Sequence, residues 1–172
     1  MISIVQASPA DASLIVDIGK ISVKQAHLGS CPETDLDQYL ARNYNTKAIS
    51  QELSDENNVY HILYDDGEPA GFSKIVLNAS HPNIQRQDVK KLDSIYLLDS
   101  FFGKKLGYEL MQFNIEFAKA NNQSGIWLFT WVGNERAINF YQRCGFEIIG
   151  SHYFQVTETQ SNLNHHMHLN LS

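Results

Sequence analysis

Apolar and polar positions along the chain change period repeatedly, and each change predicts an element. Ile2 to Ala7 reads as a strand running into a helix start. Ser8 can cap, Pro9 takes the first helical position, and Asp11 sits in the first turn, where the helix dipole favours it. Leu14, Ile18, Ile21 and Leu28 then recur at helical spacing and predict one apolar stripe laid on a core. After a break at Gly29 to Pro32, Thr34-Asp35-Leu36-Asp37 resembles a capping box that opens a second helix through Leu36 and Leu40. Ile49 and Leu53 mark a third, short helix after Asn45-Thr46. From Asn57 the period shortens to two: Val59 to Tyr64 and Ala70 to Leu77 are strands joined by a turn at Asp65-Asp66-Gly67-Glu68. Asn78 to Asp88, with Pro82, reads as a loop, and Leu92 to Leu98 as a strand. Gly103 to Ala120 is a helix on Leu106, Leu110, Phe113 and Phe117, ended by Asn121-Asn122. Ile126 to Trp131 is a strand and Glu135 to Cys144 a helix stopped by Gly145, before strands at Phe146 to Val156 and Leu163 to Leu169. That order predicts a single α/β (α+β) domain over residues 1–172, a mixed, mostly antiparallel sheet of about seven strands flanked by helices.

Composition narrows the class. Apolar residues at 43% and aromatics at 11% describe a globular chain, and 172 residues bury a core that needs no staples. No apolar run approaches the ~20 residues of a membrane span, and Met1 to Val5 lacks the basic region and apolar core of a secretory signal. The expectation is a cytoplasmic protein without a membrane partner. Cys31 and Cys144 are too few for a disulfide framework and fit no metal spacing. With 13 basic and 19 acidic side chains the net charge is −6, which repels a nucleic-acid backbone and attracts small cations.

Chemistry concentrates between Leu92 and Phe146. The strand ending at Leu98 enters a loop, Asp99-Ser100-Phe101-Phe102-Gly103, and then a helix opening Lys104-Lys105-Leu106-Gly107. Unpaired N–H groups at a helix start, two lysines and two glycines that admit a close ligand suit a phosphate, although a tight turn without a ligand has the same composition. Downstream stands Asn134-x-x-Ala137-x-x-Phe140-Tyr141-x-x-x-Gly145-Phe146. His165, His166 and His168 resemble a metal tract. Strand alternation separates His165 from the other two and no carboxylate or Cys completes a set, so no metal is expected. Cys144 lacks an activating His nearby in sequence and reads as a packed thiol, and Phe140 and Phe146 read as core.

The two signatures together resemble the GNAT N-acetyltransferases. Asn45-Thr46 through Leu53, Gly71-Phe72-Ser73-Lys74, Asp93-Ser94-Ile95-Tyr96 and Ile126-Trp127-Leu128 look like the bacterial spermidine/spermine N-acetyltransferase branch. The phosphate loop departs from the family's Gln/Arg-x-x-Gly-x-Gly/Ala: Phe102 replaces the Gln/Arg and Lys105 the first Gly. The resemblance implies acetyl-CoA as co-substrate. Its pantetheine arm would lie between splayed fourth and fifth strands, held by backbone at Ile95, Tyr96 and Leu97. Its phosphates would sit on Phe102, Gly103, Lys104, Lys105, Leu106, Gly107 and Tyr108, with Asn134, Ala137 and Tyr141 lining the arm. Tyr141 would protonate the leaving thiolate, or be a core aromatic. Asn134 would bond the arm, cap its helix, or do both. Asp93 stands where related polyamine enzymes carry a Glu base; it would take the amine proton through a water, hold the ammonium, or merely pair with Lys91. The acceptor implied is a small cationic amine such as spermidine or spermine. The alternatives are a protein N-terminus, a lysine or another small amine, or a CoA-binding sensor module with little turnover. Aromatic side chains at Tyr153-Phe154 make a homodimer a further expectation.

Overall fold

A computed structural model describes all residues, Met1–Ser172. The elements run β1 (Ile2–Gln6), α1 (Ala12–His27), α2 (Glu33–Asn43), α3 (Thr46–Leu53), β2 (Asn58–Asp65), β3 (Glu68–Val76) and β4 (Val89–Leu97). They continue with α4 (Leu106–Ala120), β5 (Gly125–Trp131), α5 (Glu135–Arg143), β6 (Glu147–Gln155) and β7 (Ser161–Asn170). The strands form one seven-stranded sheet in the order β1-β2-β3-β4-β5-β7-β6. Every pairing is antiparallel except β4 with β5.

Helices cover both faces of the sheet. On one, α1, α2 and α3 bury Ile15, Ile18, Val23, Leu36, Leu40 and Ile49 against Tyr60, Ile62 and Phe72. On the other, Met111, Ile115 and Ala118 of α4 pack on Val59, Ile75, Ile126 and Leu128, joined by Phe146 and Met167. The stripe on α1 differs from the one the spacing predicts. Ile15, Ile18, Gly19, Ser22 and Val23 face inward, while Ile21 and Leu28 are 52% and 59% exposed. Gly19 brings the helix against the Tyr44 ring, where a Cβ would stand 2.3 Å from a ring carbon.

The helix ends explain themselves chemically. Ser8 N–H and Oγ both donate to Asp11 Oδ2, at 2.8 and 2.9 Å, and a short 3-10 turn at Pro9–Asp11 leads into α1. The second capping box does not form: α2 starts at Glu33 after Pro32, two residues before the position a Thr34 cap would set, and Thr34 lies inside it. Gly145, at φ 96°, ends α5, with its N–H bonded to Gln142 and that of Phe146 to Tyr141, both at 3.0 Å. Helix α4 begins at Leu106 rather than Gly103, because Gly103 and Lys105 both take positive φ, 82° and 62°, and turn the chain first.

Candidate active site

The site originates in a sheet that comes apart. Strand β4 meets β5 only over Val89–Lys91 against Gly125–Trp127. Beyond those rungs β4 stays paired with β3 and β5 with β7, so the facing edges of residues 92–97 and 128–131 diverge. The divergence opens a cleft of about 1020 Å³ that reaches from the α1 and α2 side, past both strands, to the start of α4. Strands cannot be missing a partner over that length without orphaned backbone groups, and an extended ligand can satisfy them.

One end of the cleft is the loop before α4. Ile95, Tyr96, Leu97, Phe102, Gly103, Lys105, Leu106, Gly107 and Tyr108 all line it. The N–H groups of Lys105, Leu106 and Gly107 have no acceptor within the protein, which is the arrangement a phosphate oxygen satisfies. Lys105 occupies a left-handed conformation that explains why the family's pattern has Gly at this point. Lys104 does not line the cleft: its ammonium pairs with Asp65 at 2.9 Å and packs over the ring of Phe101, which does. Arg136, in the first turn of α5, fills the space instead, its guanidinium carbon 3.5 Å from the centre of the Phe102 ring.

The other end is built around Asp93. Ile75 pairs with Leu92 and Lys74 with Ser94, so Asp93 is the extra residue of a β-bulge, which re-aims its side chain. It contacts Lys91 at 2.7 Å and Lys74 at 3.2 Å. Lys74 also contacts Glu52 at 2.7 Å, and Glu52 accepts a hydrogen bond from the Tyr60 hydroxyl. Burial pushes the Asp93 carboxyl upward, but the two lysines outweigh it and hold it below the usual range. Tyr39, Tyr44, Tyr60 and Tyr96 surround this group. Burial, followed by the neighbouring carboxylates, lifts the Tyr39 phenol to about 12. His27 lies 3.2 Å from the Tyr96 hydroxyl and near the Trp131 ring, where burial lowers it to about 4 and keeps it neutral.

Helix α5 closes the cleft between these ends. Asn134 caps it, accepting from the Ala137 N–H at 3.1 Å, and reaches across to the Ala26 carbonyl at 3.5 Å. Ala137, Phe140, Tyr141 and Cys144 line the cleft. Phe140, expected in the core, is half-buried on this wall, whereas Phe146 is fully in the core. The Tyr141 ring packs on Phe140 and Phe146, its hydroxyl bonds no protein group, and burial raises its pKa, so it stays protonated. Burial also pushes the Cys144 thiol up, which makes its thiolate scarce. Phe154, expected at the surface beside Tyr153, turns inward onto Tyr39, while Tyr153 is 69% exposed. His166 is buried against His81, Trp127 and Phe129, and no three His, Cys, Asp or Glu side chains converge as a metal site.

Glu52, Lys74, Tyr39, Tyr60 and His27 escaped the sequence as site residues. Lys74 carried a usable signal: it follows Phe72 on the inward face of a strand, and a cation at such a position needs a partner. His27 and Tyr39 carried none, because only the packing of α1 and α2 brings them to β4.

The family described as the acetyltransferase (GNAT) family matches residues 21–146, well over half of the chain. An uncharacterised N-acetyltransferase in the pepI 3′ region of Lactobacillus delbrueckii subsp. lactis is 26% identical over 153 residues, 89% of this chain and 88% of the relative. The streptothricin acetyltransferase of Escherichia coli is 30% identical over 111 residues, covering 64% of this chain and 60% of that protein. Among solved structures, the PaiA N-acetyltransferase of Thermoplasma acidophilum in complex with coenzyme A superposes with a TM-score of 0.79, at 18% identity and 99% coverage of both chains. The orphaned loop donors and the long cleft fit acetyl-CoA as the acetyl donor. The chain therefore belongs to the GNAT family and is an N-acetyltransferase.

Proposed function

We propose that the protein acetylates a primary amine of a small cationic acceptor, with polyamines such as spermidine or spermine the preferred class. One observation carries this reading. The cleft that holds the Tyr141 hydroxyl also holds two carboxylates, Glu52 and Asp93, among the rings of Tyr39, Tyr60 and Tyr96. Both carboxylates pair with Lys74, and Asp93 also with Lys91, so an alkylammonium binds by taking the place of one of these lysines beside the aromatic faces, and the net charge of −6 favours its approach. Family membership alone does not choose the acceptor: one relative acts, by its name, on streptothricin.

Acetyl-CoA supplies an acyl group activated as a thioester. Backbone at Ile95, Tyr96 and Leu97 holds its arm and the thioester carbonyl, and the loop at residues 102–108 receives its phosphates. Asn134 and Ala137 flank the arm. Asp93 holds the acceptor's ammonium, whose proton leaves through water to a base in the solvent. Because Lys91 and Lys74 keep the carboxylate ionised and weakly basic, it serves chiefly as a charge anchor. An alkylammonium has a pKa of about 10, so the neutral, attacking amine is scarce at pH 7 and the rate should rise with pH. Tyr141 donates its phenolic proton to the departing thiolate; its hydroxyl is free of other partners and protonated throughout the physiological range.

The test is acceptor preference at saturating acetyl-CoA. Spermidine and spermine should exceed a monoamine of similar length in kcat/KM, and salt should erode the advantage. A preference for a peptide N-terminus or a lysine side chain would move the acceptor to a protein. Acetyl-CoA binding without turnover of any amine would make the protein a binding module.

A further inference from the structure

We propose that Arg136 is a phosphate ligand of the acetyl-CoA site, carried on the Phe102 ring, and that it replaces in space the Gln/Arg side chain that the loop lacks. The inference rests on the acetyl-CoA reading of the cleft.

The sequence places Phe102 where the family pattern has a Gln or Arg, which removes a donor from the head of the loop. The fold supplies one from elsewhere. Arg136 lies far along the chain, in the first turn of α5, yet its guanidinium stacks 3.5 Å over the Phe102 ring. Both residues line the cleft together with Gly103, Lys105, Gly107 and Tyr108. A guanidinium stacked by one face is held in plane with its N–H edge free, the presentation that binds a phosphate through paired hydrogen bonds. Phe102 is thus a platform rather than a defect.

The surrounding charges point the same way. Arg136 has no carboxylate partner, and neither does Lys105, whereas Lys104 is committed to Asp65 at 2.9 Å. The cleft-lining cations without a carboxylate partner are Lys105, Arg136 and Arg143, and of these Lys105 belongs to the loop that carries the orphaned N–H groups of Lys105, Leu106 and Gly107 while Arg136 stacks on that loop's Phe102. The anion is a phosphate of acetyl-CoA, and two are within its chemistry: the pyrophosphate and the ribose 3′-phosphate.

Calorimetric titration with CoA and with dephospho-CoA, which lacks only the 3′-phosphate, separates them. Wild type, Arg136→Gln, Arg136→Lys and Phe102→Leu are compared with Arg86→Gln, which removes one surface cation in the loop before β4. Losing a charged hydrogen-bonding partner should weaken CoA about ten- to a hundredfold in Arg136→Gln. Arg136→Lys should recover part of that, because an ammonium keeps the charge without the stacked fork, and Phe102→Leu should show a smaller loss. A loss shared by both ligands assigns Arg136 to the pyrophosphate; a loss for CoA alone assigns it to the 3′-phosphate. Equal affinities of wild type and Arg136→Gln for both ligands, or a loss no larger than that of Arg86→Gln, overturn the inference while leaving acetyl-CoA binding intact. A wild-type protein that binds neither ligand would overturn the acetyl-CoA reading and this inference with it.

Discussion

Burial pushes both Tyr141 and Asp93, the two groups proposed for the reaction, upward, with opposite outcomes. It raises the Tyr141 phenol with nothing to offset it, so the proton is always present to be given. On Asp93 burial is outweighed by Lys91 and Lys74, so the carboxylate stays ionised. The two residues should therefore fail differently. Tyr141→Phe keeps the ring packed on Phe140 and Phe146 but removes the acid, and kcat should fall about 10²–10⁴-fold with acetyl-CoA affinity unchanged. Asp93→Asn should raise KM for the amine more than it lowers kcat. Its kcat/KM should climb with pH in parallel with wild type, since the climb reports the amine's own deprotonation. A loss in Asp93→Asn that shrinks as the pH rises from 7 to 9, giving the variant a steeper climb than wild type, would make Asp93 the base instead.

At the scale of elements, the divergence of β4 from β5 is the feature on which the site depends. The two strands share only the rungs at Val89–Lys91, and the edge groups beyond them are left for a ligand. Adding acetyl-CoA should therefore slow amide exchange at residues 92–98 and 128–131, and should leave β1 and β2, which are already paired, unchanged. Unaltered exchange in the splayed segments would remove the arm from that slot. This architecture was largely legible in the sequence, because alternation in β2 and β3, helical spacing in α4 and the Gly145 stop are local properties. What was not legible is non-local. The bulge at Asp93 is a matter of register against β3, and the inward face of α1 was set by Tyr44 docking on Gly19 rather than by spacing alone. Lys104 was expected at the phosphates because sequence shows adjacency, whereas its partner Asp65 lies across the sheet. Arg136 beside Phe102 is the converse case, a contact that no spacing within the loop could announce.

At the scale of the molecule, three histidines couple stability to acidity. Burial lowers His27, His61 and His166 to about 4, from an ordinary value near 6.5. Between those values the unfolded chain binds protons that the folded chain refuses, so stability is full above pH 6.5 and falls as the pH drops toward 4. Each such proton contributes a slope approaching about 1.4 kcal/mol per pH unit. Urea melts at pH 7, 6 and 5 should show falling midpoints, and His166→Phe should reduce the slope; equal midpoints would mean these rings are protonated in the fold. The proposed reaction is tested most directly by following acetyl-CoA and spermidine together. Released CoA thiol is titrated while acetylated amine is identified by mass. Amine-dependent thiol release should be matched one to one by monoacetylated product, with negligible release when the amine is omitted. Thiol release that ignores the amine, or acetyl-CoA bound with no acetylated amine formed, would contradict it.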